Sequence, residues 1–104
     1  MWLKLRQNER FLVIDVETAG GLDNPLTYDV GFHIIDRKGN IYEEQSLVIY
    51  DIYTGQREIM KTAYYANKLP LYEEQLEKNI RKMTNFFTVK KIIKELMEKH
   101  KTNI

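Results

Sequence analysis

Two acidic residues in the first part of the chain, Asp15 and Glu17, have the spacing of a cation site. They follow the apolar run at residues 11–14, and side chains two residues apart on a strand project from the same face. The loop sequence at residues 18–21 leaves that end of the strand open to a ligand. Two carboxylates there suit Mg²⁺ or Mn²⁺, which could polarise a phosphate and lower the pKa of a bound water. The alternative interpretation is an ordinary strand end with two solvated acids, because a D-x-E pattern is short.

The composition excludes several other kinds of chemistry. The 104 residues contain no cysteine, which rules out disulfides, thiolate metal sites and cysteine nucleophiles. Ser46 is the single serine and falls in a predicted strand, so no serine nucleophile is expected. The sequence contains no glycine-rich phosphate loop of the P-loop or Rossmann type. No apolar run has the length of a signal peptide or a membrane span, so we expect a cytosolic protein without membrane contact.

The strands that must position the two carboxylates are predicted from hydrophobic patterns. Residues 11–14 are apolar on both faces, which is typical of a central strand covered on both sides. Residues 26–36 alternate between apolar and polar, as in a half-buried strand. Residues 41–50 return antiparallel to them after a short turn, in which Gly39 is placed for a left-handed conformation. A three-stranded antiparallel sheet is therefore predicted.

The second half of the chain changes to helical periodicity. A first helix is predicted within residues 56–67, with Ala63 and Tyr64 on its core face, and Pro70 is expected to end that segment. A weaker helix is predicted at residues 71–83. Both patterns place apolar side chains on one helical face.

The last helix has the clearest pattern. It is predicted to begin after Thr88 as its N-cap. Its apolar residues recur at the spacing of one helical face, and they are Val89, Ile92, Ile93, Leu96 and Met97. Strands followed by helices predict an α+β fold, in one domain that spans residues 1–104.

Charge is distributed unevenly along the chain. The 16 basic and 15 acidic residues give a net charge of +1, but the chain up to residue 52 carries −4 and the remainder carries +5. Lys78, Arg81 and Lys82 are the most concentrated basic patch and are candidate nucleic-acid contacts. The alternative, solvated helix faces, is favoured because glutamates are interleaved with the lysines.

The sequence FLVIDVETAG at residues 11–20 resembles the first motif of the DEDD, or DnaQ-like, 3′–5′ exonucleases: a hydrophobic strand, D-x-E-T, a small residue and glycine. The sequences at residues 28–32 and 34–42 resemble the strand and hairpin that follow in this family, most closely in its small phage-encoded members. The resemblance implies a ribonuclease-H-like half-fold, with three antiparallel strands followed by two or three helices. In that fold the first strand is central, and a later strand pairs with its second edge.

The resemblance also implies roles for individual residues. Asp15 and Glu17 would be catalytic residues and ligands of a two-metal phosphodiesterase site that uses Mg²⁺ or Mn²⁺. Thr18 would contact the terminal nucleotide and Leu22 a base of the substrate, which is DNA or RNA. The family's site needs two further aspartates from later motifs, and no aspartate follows Asp51. We therefore expect the lone chain to hold half of the site, to bind the metal weakly and to be nearly inactive.

The absence of a later strand is expected to leave the second edge of the strand at residues 11–16 unpaired. Self-association, a partner protein or the segment at residues 1–10, folded back as a strand, would cover that edge. Two functions remain open. The first is the N-terminal portion of an exonuclease, truncated or completed by a second chain. The alternative is a catalytically inactive small phage protein of the host cytoplasm, which uses the half-fold to bind a host protein or nucleic acid.

Overall fold

A computed structural model of the chain describes residues 9–21 and 23–102. They form an α+β fold with a four-stranded mixed sheet in the order β1-β2-β3-β4. The strands are β1 (Arg10–Ala19), β2 (Leu26–Asp36), β3 (Ile41–Ile49) and β4 (Lys82–Thr84). The first three are antiparallel, as predicted, and β4 is parallel to β3. The helices are α1 (Tyr50–Tyr53), α2 (Arg57–Met60), α3 (Leu69–Glu77) and α4 (Phe86–His100), with a 3-10 turn at Ala66–Lys68.

The two faces of the sheet are covered differently. One face packs against α4 in a core formed by Leu12, Val30, Phe32, Ile34, Leu47, Ile49, Val89 and Leu96. A second cluster joins the sheet to the segments after β3, and it consists of Ala19, Tyr28, Val48, Tyr53, Met60, Ala63 and Tyr72. The same face, further along the strands, carries the exposed side chains of Asp15 and His33. We call this uncovered part the open face.

A β-bulge in β2 alters the alternation beside the open face. Glu17 lies opposite Asp29, and the register then shifts by one residue, which leaves Tyr28 as an extra residue in β2. Neighbours in a regular strand point to opposite faces. Here Tyr28 and Asp29 are both buried and both contact Tyr72 of α3. The bulge therefore places a carboxylate and an aromatic ring side by side against the same helix.

β1 is the outermost strand of the described sheet, so the central position predicted from its apolar run is wrong for this part of the chain, whereas the expected edge without a partner strand is observed among the described residues. The physical reason is that β4 joins the sheet beside β3, not beside β1. Leu12 is buried under α4, whereas Val13 and Val16, on opposite faces, are 45% and 48% exposed. The strand also continues to Ala19, so Asp15 and Glu17 lie within it and not at its end. The strand predicted within residues 1–10 lies, up to residue 8, outside the described residues.

The predicted helices differ from the observed ones at their ends. The helix predicted at residues 56–67 is a single turn, α2, followed by turns. Pro70 does not end that segment but lies in the first turn of α3. The N–H groups of a first turn have no hydrogen-bond partner within the helix, so a proline there costs no helical hydrogen bond. Ala63 is buried as predicted, but Tyr64 is 86% exposed because no helix orients it toward the core.

The end of the chain follows the helical pattern more closely. The helix predicted at residues 71–83 ends at Glu77, and residues 82–84 form β4. In α4, Asn85 and not Thr88 is the N-cap, and its side-chain oxygen accepts a hydrogen bond of 2.7 Å from the Thr88 N–H. None of the described helices is long and apolar enough to cross a membrane.

Candidate functional site

The open face contains a depression of about 380 Å³. Asp15 and Glu17 line it from β1, so their side chains share a face, as the two-residue spacing predicts. Gly31 of β2 lies directly opposite Asp15, so no side chain fills the space beside that carboxylate. The remaining lining residues come from β2, β3 and the segments after β3, and they are Asp29, His33, Ser46, Tyr65, Lys68, Leu71, Tyr72 and Arg81.

The electrostatics of the depression disfavour ionisation of Glu17. Burial raises the pKa of Glu17, and the neighbouring carboxylates of Asp15 and Asp29 raise it further. The ammonium group of Lys68 acts in the opposite direction, with a smaller effect. Additional positive charge beside Glu17 would therefore stabilise its ionised form.

Replacing Glu17 by glutamine is expected to stabilise the fold at neutral pH by up to about 1 kcal/mol. The pKa of Glu17 is higher in the folded chain than its ordinary value of 4.5, so ionisation costs more in the folded state. The two proteins should be equally stable below pH 4.5, and the native chain should lose stability relative to Glu17→Gln as the pH rises through the folded pKa. Urea unfolding at pH 4 and pH 7 measures this difference. The exposed Glu58→Gln serves as control, and a Glu17→Gln variant that is the less stable protein at pH 7 would contradict it.

Asp29, the third carboxylate of the depression, is held by two donors. The Tyr72 hydroxyl donates to its Oδ2 at 2.6 Å, and Nη1 of Arg81 donates to its Oδ1 at 2.9 Å. The side chains of Asp29 and Arg81 are only 9% and 18% exposed. Burial and the hydrogen bond to Asp29 raise the pKa of Tyr72 well above its ordinary range, so the hydroxyl stays a donor. The guanidinium of Arg81 also lies 4.0 Å from the centre of the Tyr72 ring. Asp29 of β2 thus holds Tyr72 and Arg81, two of the residues that line the depression, in place.

The other predicted site residues lie in different surroundings. Thr18 is exposed on β1, and Leu22 lies outside the described residues. Lys78 forms an exposed ion pair of 2.7 Å with Glu74 within the α3 segment. Arg81 points into the depression, toward Asp29, whereas Lys82 is exposed on β4. Arg81 also lines a second depression together with Lys82, and the nucleic-acid contacts stay a prediction.

Sequence reasoning missed the wall that faces the two carboxylates. Tyr65, Lys68 and Tyr72 line this wall. Nζ of Lys68 lies 4.7 Å from the centre of the Tyr65 ring, which positions the ammonium group at the depression. The signal in the sequence was the interleaving of tyrosines with basic residues in the second half of the chain, for which solvated helix faces were the favoured interpretation. His33 of β2, which also lines the depression, pairs with Glu44 of β3 at 3.1 Å.

A divalent cation fits this site only in part. Within residues 9–21 and 23–102, no three His, Asp or Glu side chains are grouped to hold a metal ion. Asp29, the nearest further carboxylate, is already bonded to Tyr72 and Arg81. Asp15 and Glu17 therefore fit one ion whose remaining ligands are waters, and not a pair of ions about 3.5–4 Å apart.

No family model, curated protein or solved structure matches this chain. The functional interpretation therefore depends on the residues of the depression and on the sequence motif at β1. The structure adds to that motif the open face, the bulge and the wall of tyrosine and basic side chains.

Proposed function

We propose that the depression is the incomplete metal site of a DEDD-type 3′–5′ exonuclease, which binds one divalent cation and does not cleave a phosphodiester by itself. One observation carries this proposal: Asp15 and Glu17 lie side by side on an open polar depression, in which burial and then the carboxylates of Asp15 and Asp29 disfavour ionisation of Glu17. A bound Mg²⁺ or Mn²⁺ would polarise a phosphate ester and lower the pKa of a bound water.

The residues of this chain supply binding and orientation. Asp15 and Glu17 would hold the cation, and the Lys68 ammonium faces them across the depression, where it would neutralise a phosphate oxygen. Tyr65 keeps Lys68 in place through its ring. The missing carboxylates would have to come from outside residues 9–21 and 23–102. Because the members of a catalytic unit act together, the loss of half of them removes nearly all of the activity.

Asp15→Asn and Glu17→Gln are each expected to weaken Mn²⁺ binding at least about tenfold, or about 1.4 kcal/mol. Each substitution removes one anionic ligand of a site that has only two. Water-proton relaxation in a Mn²⁺ titration measures the affinity, and Asp23→Asn is the matched control, because Asp23 is exposed and lies outside the depression. Equal affinity in all four proteins would overturn the site.

The same proteins test the claim of inactivity. A labelled single-stranded DNA or RNA should keep its 3′ end during incubation with the native chain in Mg²⁺ or Mn²⁺. Trimming that requires Mn²⁺ and disappears in Asp15→Asn would show that the two carboxylates suffice for catalysis.

A second candidate function, nucleic-acid binding without cleavage, is favoured by the aromatic side chains beside the depression. Tyr64 is 86% exposed and meets Tyr65 edge to face at 4.9 Å, and Lys68 lies over Tyr65. Exposed rings next to a cation bind single strands by stacking and phosphate contact. Fluorescence anisotropy with a labelled single strand in EDTA discriminates between the candidates. Binding that persists without a divalent cation and is unchanged in Asp15→Asn supports the second function, whereas binding that requires Mn²⁺ and Asp15 supports the first.

A further inference from the structure

The outer side of β1 is built to receive another strand. β1 has 10 residues and pairs with β2 along one side, and no strand of the described chain pairs with its other side. Such an edge presents unpaired N–H and C=O groups. The half-exposed Val13 and Val16 lie on opposite faces of this strand, so that each face presents an apolar side chain.

We propose that two copies of this chain pair through β1, antiparallel about a two-fold axis, and that Asp15 of each copy completes the cation site of the other. This inference rests on the proposed function, because it says where a further carboxylate comes from. An antiparallel arrangement is favoured over a parallel one. In the parallel arrangement Asp15 would lie beside Asp15 of the second copy and Glu17 beside Glu17, and these like charges would repel each other.

The apolar side chains of β1 select the register. Leu12 and Ile14 pack under α4, and Val16 shares their face by alternation. When Ile14 lies opposite Ile14 of the second copy, Leu12 lies opposite Val16 of the second copy, and the six side chains form one apolar strip. A shift of two residues would instead set Val16 opposite Arg10, or Leu12 opposite Thr18. The buried face therefore specifies the first register.

The same register also fixes the neighbours of Glu17 on the other face. It places Phe11 opposite Glu17 of the second copy. The guanidinium of Arg37 lies 5.4 Å from the centre of the Phe11 ring, where it also pairs with Glu9. Glu17 of one copy thus lies near the Arg37–Glu9 ion pair of the other.

The register brings the two cation sites together. Val13 lies opposite Asp15 of the second copy, so the Cα atoms of the two Asp15 residues are about 8 Å apart, given about 4.8 Å between strands and about 3.3 Å per residue. Both carboxylates project from the open face, and a cation held by Asp15 and Glu17 of one copy then has Asp15 of the other within reach, directly or through a water. Without a cation the two carboxylates repel each other. Pairing and cation binding therefore strengthen each other reciprocally.

Sedimentation velocity of the full chain in Mn²⁺ and in EDTA tests the proposal. The native chain should dimerise at least tenfold more tightly in Mn²⁺. Val16→Lys should be monomeric in both buffers, because a lysine would lie opposite Leu12 of the second copy, on the face away from the carboxylates. Ile41→Lys, on an exposed apolar residue of β3, should behave like the native chain. Circular dichroism of each variant confirms that it is folded.

Val13→Lys gives a more specific result. Its ammonium group would lie opposite Asp15 of the second copy and replace the cation, so this variant should dimerise equally well in Mn²⁺ and in EDTA. A native chain that binds Mn²⁺ but stays monomeric would overturn the pairing and leave the proposed function standing. A dimer that Val16→Lys disrupts but Mn²⁺ does not strengthen would overturn the shared cation.

Discussion

Arg81→Met should lower the free energy of unfolding by about 3–5 kcal/mol. The substitution keeps much of the apolar length of the side chain but leaves the Asp29 carboxylate buried without its charged partner. It also removes the guanidinium from the face of the Tyr72 ring. An unpaired buried charge is among the few single changes that destabilise a small domain this strongly. Urea unfolding at neutral pH measures the loss.

The matched control for this prediction is Lys78→Met. Lys78 is also basic and ion-paired, but its pair with Glu74 is exposed, so the variant should lose less than about 0.5 kcal/mol. Adding Asp29→Asn to Arg81→Met should recover part of the loss, because the neutral amide has no charge to compensate. A loss below about 1 kcal/mol in Arg81→Met would show that the pair contributes no more than a surface salt bridge.

Gly20→Ala should destabilise the fold by about 2–4 kcal/mol. Gly20 has a φ of +92°, and a Cβ at this residue would lie 2.5 Å from the backbone oxygen of Asn24. The backbone must therefore shift, and its N–H bond of 3.0 Å to the Thr62 hydroxyl would be disturbed. Thermal unfolding measures the change.

Gly21→Ala separates the two contributions to this cost. Gly21 also has a positive φ, of +73°, but a Cβ there meets no atom of the described residues within 4 Å. Only the conformational cost of about 1–2 kcal/mol is expected. Equal losses in the two variants would mean that the contact with Asn24 is relieved without cost.

The parts of the fold that local patterns determine were predictable. The bounds of β2 agree with the alternation at residues 26–36, and Gly39 has the predicted left-handed conformation, with a φ of +86°. The turn before β3 is fixed by Asp36, whose carboxylate accepts bonds from Lys38, Asn40 and Tyr42. These bonds hold the pKa of Asp36 far below its ordinary range. All of these contacts lie within a few residues of one another, so the local sequence determines the turn.

Features that depend on distant pairing were not predictable. β4 has three residues and partly exposed side chains, so no periodicity marks it, and nothing in its sequence chooses β3 as its neighbour. That choice leaves β1 at the edge. In the site, the shared face of Asp15 and Glu17 follows from strand alternation alone. The bulge at Tyr28 and the engagement of Asp29 by Arg81 depend on residues that meet only in the folded chain.

The connection between β3 and β4 also determines the order in which the molecule opens. β1, β2 and β3 are joined by short loops, whereas β4 returns to the sheet only after the segment at residues 50–81. Closing so long a connection costs chain entropy, so the hairpins should form first and the α3–β4 segment should dock later. The three-residue β4 should likewise exchange its amide hydrogens before β2 does. Each such opening would release Asp29 from Arg81 while Asp15 and Glu17 remain in place, which transiently leaves three carboxylates on one side of an intact antiparallel sheet.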